Sequence, residues 1–568
     1  MIYTFLGFVD FLKGAGDLIL NLLIFGVVLG VIVGIHEAGH FFFARRGGIL
    51  CREYAIGMGP VLWKKKKGET MYSLRAIPLG GFCAIAGEEL EEDPFKDLEK
   101  IRLEIVDGVI KGFYLYTDEA TSVYPEYRIK EYDIFDAEQT GNLYMNVETE
   151  DGEILSFTVD SKAMLYFTKK QELQIAPYNR TLGSKSKRRR ALVMFGGPLM
   201  NFVLALIVFF IVGLCTGFTN YDSNVVKEVQ KGSSIYDAGL RAGYKITAFE
   251  TDTLGLRTIE NWKELSSFMD EYQEKNLLDE GIKVTFEDKK GNSYTKEVAP
   301  FVALHNLGIG STYEYLNTGK ITIGIIDGLD TSFGDNSKLK LHDEIIRIKD
   351  ASGKVVEVNS WKDVVGVVGN FDGKGKLEFT VNRNVEEDEN KDPKYEELTV
   401  EVKPYSKELM DSQTSISGDK VPTVSVVLGI GASTKFSFIK SIGYSFRRTG
   451  ESFMAVFNTL KMLFNKTVSV KNLSGPIGIF QLTSQVREAG GFLYILSLIG
   501  LLSVNIGLLN LFPIPALDGG RLVFVAYEAV TGKKPNPKVE TILITVTMIL
   551  LLGLMVFVAF ADISRLFK

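Results

Sequence analysis

The sequence predicts a multi-span α-helical membrane protein of about four transmembrane helices, with two α+β domains outside the membrane and a β-rich cytosolic insertion. Three observations carry this: four long runs lack charge, residues 88–184 alternate in strand fashion between the first two runs, and the pattern of residues 222–410 repeats itself once. The chain has 568 residues, 46% hydrophobic and 24% charged, a mixture that neither a soluble domain nor a membrane segment has by itself. A net charge of -6 gives no support for nucleic-acid binding. Cys51, Cys83 and Cys215 are too few and too scattered for a disulfide framework or a C-x-x-C zinc site.

The first span, about Leu18 to Phe43 within a segment 1–46, ends in His36-Glu37-Ala38-Gly39-His40. Four positions along a helix return two side chains to nearly one face, so both imidazoles can reach one zinc ion with Glu37 beside its water. The pattern is short and arises by chance in long chains. Here, however, two of only four histidines (the others are His305 and His342) stand at ligand spacing behind an uncharged stretch, Leu18 to Ile35. Ionisable groups in such surroundings are expensive and rarely kept without function. No cleavable signal peptide is expected, since the first apolar run is long, lacks a small-residue cleavage site and carries the motif itself.

Residues 47–87 read as a Gly-rich, membrane-associated hairpin of short strands with turn signals at Gly57, Gly59, Gly68 and Gly80-Gly81. Such a hairpin offers an edge to an extended peptide, or is an ordinary cytosolic hairpin. The insertion at 88–184 opens with an acidic, helical or loose stretch and continues as strands to which no chemistry attaches.

A second span fills 185–219 and carries Asn201, which either packs against a neighbouring helix or faces the site. Basic residues follow the first span (Arg45, Arg46, Arg52, Lys64 to Lys67) and precede the second (Lys185, Lys187 to Arg190). By the positive-inside rule the intervening segment is cytosolic and the region from about 220 to 490 lies outside. Within that region, 220–302 and 303–410 each read strand, turn, short helix, strand, helix, strands. The first copy resembles a PDZ domain in its G-S-x-x-x-x-A-G-L-x-x-G-x-x-I run, and the second is a weaker match. A purely structural pair remains the alternative to peptide binding by strand addition. Residues 430–485 read as amphipathic helices on the membrane surface, with packing on the domains as the other option.

The third span, within 490–520, supplies what the first lacks. A catalytic zinc keeps three protein ligands, and Asp518 is the carboxylate at the cytosolic end of a run broken by Pro513 and Pro515. The alternative role for Asp518 is to cap the helix that follows, at the interface. A fourth span lies at 540–562.

HEAGH in the first span, GPLMN in the second, PDZ-like units outside and SVNIGLLNLFPIPALDGG in the third together resemble an intramembrane zinc protease of the site-2 protease family. The similarity is greatest to the bacterial group that includes the regulator of sigma-E protease. The insertion departs from that group's usual pattern. The resemblance implies His36, His40 and Asp518 as Zn2+ ligands, Glu37 as general base, and Asn505 and Asn510 as contacts to the substrate backbone or the intermediate. It implies single-span membrane proteins as substrates, such as anti-sigma factors or signal-peptide remnants, and a bacterial plasma membrane as the location. Two alternatives stand beside it. One is a non-catalytic membrane scaffold binding peptides through its PDZ-like domains; the other is a zincin-like peptidase with a glutamate ligand and a soluble site.

Overall fold

The computed structural model describes residues 2–88, 93–136, 139–169, 171–329, 333–386, 392–412, 420–465 and 473–566. The chain forms two compact units, residues 1–208 with 474–568 and residues 209–473.

In the first unit, α1 (Ile2–Arg46), the part of α2 (Lys187–Thr216) up to residue 208, α3 (Pro476–Asn510), α4 (Asp518–Thr531) and α5 (Pro537–Leu566) surround the histidine motif. Among the described residues, four helical stretches are long and apolar enough to cross a membrane: Gly16–Arg46, Lys187–Thr216, Gly491–Asn510 and Pro537–Ser564. The third begins at a kink, where Gly491 adopts a positive φ of 64° inside α3. It also ends earlier than the uncharged run suggests. The segment around Pro513 and Pro515 leaves the helix after Asn510, and Asp518 starts a new one. Where α1 crosses α2 the backbones nearly touch, since a Cβ on Gly39 would stand 2.1 Å from the Gly196 carbonyl oxygen.

The Gly-rich region is an antiparallel pair, β1 (Cys51–Lys67) and β2 (Thr70–Ile85), that folds back on itself: residues 53–56 pair with 81–84 on one side and, running in the same direction, with 71–74 on the other, so that several short stretches share the sheet. Its turn is at Gly68. Gly57, Gly59 and Gly80, all at positive φ, lie where the register breaks and the pair bends back over its own base. The Tyr54 hydroxyl donates to the Gly34 carbonyl at 2.5 Å and ties β1 to α1.

The insertion is a small closed barrel built of β3 (Lys100–Val106), β4 (Val109–Tyr114), β5 (Glu126–Asp133), β6 (Tyr144–Glu148), β7 (Ile154–Thr168) and β8 (Gln171–Gln174). Strands β3 to β7 form the ring, which closes by a parallel pairing of β4 with β7, and β8 adds to the outer end of β7. Leu103, Ile110, Phe113, Met145 and Val147 fill its centre without solvent exposure. Of the acidic opening stretch, residues 89–92 lie outside the described residues; residues 94–97 form a turn and no helix. The barrel is fastened to the hairpin at Glu69, whose carboxylate receives Arg180 Nη1 and Nη2 at 2.7 and 2.8 Å and Gln174 Nε2 at 2.7 Å.

In the second unit the sequence repeat is a structural one. Strands Gly255–Thr258, Lys245–Thr251, Ile282–Glu287 and Ser293–Val298 lie in that order in one antiparallel sheet; Val355–Glu357, Glu344–Lys349, Leu377–Asn384 and Tyr395–Val402 lie in the same order in another. Each copy has a helix opening on tryptophan, Trp262–Glu274 after the cap Asn261 and Trp361–Val368 after the cap Ser360. The strand beside Val226–Val229 arrives from far along the chain, at Ile430–Ala432. Helix Phe438–Phe464 buries Ser441, Ser445, Arg448 and Ser452 and exposes Phe438, Ile439, Phe446 and Met454. Its outer face is the apolar one, which suits lipid better than water.

The Arg180 guanidinium holds the Glu69 carboxyl down to about 2. Because the folded value is depressed, the contribution is complete above the ordinary glutamate range and is lost as pH falls toward 2. Arg180→Ala is expected to loosen the barrel by about 1 kcal/mol at pH 7. Followed by urea-dependent proteolysis, its difference from wild type should shrink as pH falls from about 4.5 to 2.

Candidate metal centre

His36 and His40 lie on the same face of α1, and their Nε2 atoms are 3.2 Å apart. Asp518, the first residue of α4, places Oδ2 3.2 Å from His36 Nε2 and 3.4 Å from His40 Nε2. Both imidazoles are buried, and Asp518 Oδ2 is buried with no hydrogen-bond donor. A tetrahedral zinc with bonds of about 2.0 to 2.1 Å spaces its ligand atoms about 3.3 Å apart. The three atoms therefore fit one face of such a site, and their mutual burial without a donor is the electrostatic situation a cation relieves.

Helix α2 backs this face. His40 Nδ1–H donates to the Val193 carbonyl at 2.8 Å, which leaves the lone pair of Nε2 pointing at the cluster. The Asn201 amide lies 3.3 Å from His36 Nδ1; its oxygen, otherwise buried without a partner, serves the same purpose when turned to that nitrogen. Asn201 thus does both things its sequence position allowed, since its own carbonyl also accepts from Ser503 Oγ of α3 at 2.8 Å. Gly197 lies directly under the ligands, where a Cβ would stand 2.3 Å from His40 Nε2 and 2.8 Å from His36 Nε2.

Asp518 is held from both ends of its helix. Three residues on, Arg521 pairs with Glu88 at the end of the hairpin, and Glu528 in the third turn pairs with Arg190 of α2. Gly519 and Gly520 fit against the carbonyls of Leu511 and Ile514, each with only 2.2 Å for a Cβ, so α4 can start immediately beneath the proline turn.

A cavity of about 1730 Å3 opens over the three ligands. Glu37 lines it, facing the β2 backbone at Gly81, and Ile506, Asn510 and Leu517 form another side. Asn510 Nδ2 reaches within 3.5 Å of His36 Nε2. Asn505 is not part of that lining: Ile506 and Asn510, four apart, hold the face of α3 turned to the cavity, and Asn505 lies off it. The structure therefore gathers His36, Glu37, His40, Asp518 and Asn510 and leaves Asn505 aside.

The sequence model of peptidase family M50 matches residues 24–554, which include every one of these groups. The chain belongs to peptidase family M50. It is similar to the zinc metalloprotease RasP of Oceanobacillus iheyensis, 29% identical over 96% of this chain and 98% of the relative. The RasP of Geobacillus kaustophilus is 28% identical over 96% and 98%. The Bacillus subtilis protein named regulator of sigma-W protease RasP is 26% identical over 96% and 98%.

Two substitutions separate ligand chemistry from space. Asp518→Asn removes a charged ligand, whereas Gly197→Ala removes none and introduces a methyl group where His40 Nε2 stands. Both are expected to lower the zinc content of the purified protein, measured by mass spectrometry of the metal, from about one per chain to about one-tenth or less.

Proposed function

We propose that this M50 peptidase is an intramembrane zinc metalloendopeptidase that hydrolyses peptide bonds in the transmembrane segments of single-span membrane proteins. The observation that supports this most is the convergence of two imidazoles and a carboxylate at the end of an apolar helix long enough to span a bilayer. His36, His40 and Asp518 hold the metal. Bound zinc supplies Lewis acidity and a water of lowered pKa. Glu37, beside the ligands on the cavity wall, takes the proton from the attacking water and returns it to the leaving amine. Asn510 donates to the substrate carbonyl region from the α3 side. A helical substrate has its amides already bonded and must be unwound before attack; β2, alongside Glu37, holds the freed strand extended.

By the positive-inside rule, the basic residues flanking α1 and α2 put the hairpin and barrel in the cytosol of a bacterial cell and the repeated modules outside. Those two modules are PDZ-like and gate access of the substrate. The name of the Bacillus subtilis relative, a regulator of sigma-W protease, points to anti-sigma factors as a substrate class. Against a scaffold role stands the retention of Glu37, which peptide binding alone does not need.

The experiment is co-expression with a single-span model substrate in cells. Wild type is expected to release a cytosolic fragment, and Glu37→Gln to slow release by at least about a hundredfold. Cleavage at the wild-type rate by Glu37→Gln would remove Glu37 from the chemistry.

A further inference from the structure

The folded-back hairpin leaves one edge open. Its stretches lie in the order 63–66, 71–74, 53–56 and 81–84, and beyond 81–84 no further strand pairs among the described residues. That edge runs past the chemistry: Gly80 to Ile85 line the cavity over the ligands, and a Cβ on Gly81 would stand 3.5 Å from Glu37 Cγ and 2.9 Å from Val33 Cγ1. Its backbone does little to hold it there, because strands rich in glycine specify their register weakly. One side chain crosses the sheet. By the two-residue alternation Glu53, Ser73, Arg75 and Phe82 share a face, and all four line the cavity. From its own stretch the Arg75 guanidinium reaches over the middle one, where Nη2 donates to Glu53 Oε1 at 2.8 Å, and lies 5.0 Å from the centre of the Phe82 ring on the open edge. Ser73 Oγ donates to the same Glu53 oxygen at 2.5 Å, and Arg75 Nη1 donates to the Gly59 carbonyl at the bend, at 3.0 Å. Ala55, paired with both Ser73 and Phe82, has no exposure.

We propose that Arg75 is a positioning residue that fixes the open edge against Glu37 and thereby sets which peptide bond of the substrate meets the metal centre. This rests on the proteolytic reading, in which β2 holds the unwound substrate extended. Geometry supplies the consequence. A chain added to the edge moves with it, and a displacement of about 3.3 Å, one residue, brings a neighbouring bond to Glu37. Backbone pairing alone resists such a shift poorly, since each residue offers the same amide and carbonyl. The fixing has to come from side chains, and a guanidinium suits the place: it meets a carboxylate and a carbonyl through its fork while an aromatic ring lies within cation–π range. Neither side chain of the Arg75–Glu53 pair is more than 23% exposed, so solvent screens it less than it would a surface pair.

The test uses the full-length protein in membranes with a single-span probe protein, and reads the ends of the released fragments by mass spectrometry. Wild type is expected to cut mainly at one bond, and Arg75→Ala to move about half of the product to bonds one or two residues away. Arg75→Lys, which keeps the charge beside Glu53 but has neither fork nor flat face, should scatter less than Arg75→Ala. Zinc content should be the same in all three. A loss of rate with the cleaved bond unchanged in Arg75→Ala overturns the proposal and leaves the protease standing; so does loss of zinc, because Arg75 would then act through the metal. If Arg75→Ala cuts nothing, hydrogen exchange of the amides at 81–84 decides: exchange about tenfold faster than in wild type supports the clamp, and exchange equal to wild type overturns it. A wild type that leaves the probe whole removes the proteolytic reading and this role with it.

Discussion

The structure depends on one electrostatic problem: two imidazole nitrogens and a carboxylate oxygen, 3.2 to 3.4 Å apart, share a buried space without a proton donor between them. Buried polar atoms left so are costly, by several kcal/mol for a charged group. A divalent cation reverses the sign of the interaction. Much of the surrounding architecture holds that arrangement in place. Gly197 lets α2 close against the ligands, the Val193 carbonyl orients one ring, and Arg521 and Glu528 fasten the helix that begins at Asp518.

The same constraint explains where the helices break. Backbone outside a helix is tolerated at membrane depth only where protein or a water-filled cavity satisfies it. In the turn after α3, the Ile514 and Leu517 amides donate to the Phe512 and Ile514 carbonyls at 2.7 and 2.8 Å. The turn closes on itself while delivering Asp518. Gly519 and Gly520 are the sequence mark of that close packing, and a side chain at either position would push the carboxylate away from the histidines.

Much of this was legible in the sequence because it is local. The i, i+4 spacing of His36 and His40, the four uncharged runs, the double tryptophan-led helix pattern and the Pro-broken run before Asp518 all follow from short-range rules. What stayed hidden is long-range. Nothing in the alternation of residues 100–174 announces that β4 closes a barrel by pairing in parallel with β7, nor that Ile430–Ala432 lies beside Val226–Val229 across some two hundred residues. The support given by Gly197 and the Val193 carbonyl was equally silent, since a glycine in an apolar helix reads as packing and a backbone carbonyl carries no sequence signal. Asn505 and Asn510 look alike along the chain; only the helical phase of α3 separates them. The glycines of the hairpin did mark its bends, but which stretches meet across them is again long-range, residues 71–74 lying beside 53–56.

The shared metal is tested most directly by X-ray absorption at the zinc edge of the purified full-length protein, wild type beside Asp518→Cys. Nitrogen and oxygen neighbours alone, at about 2.0 to 2.1 Å, are expected in wild type, with one sulfur at about 2.3 Å appearing in the variant. Sulfur already present in wild type, or a variant spectrum unchanged from it, would mean that the ion is held elsewhere and that Asp518 is not its ligand.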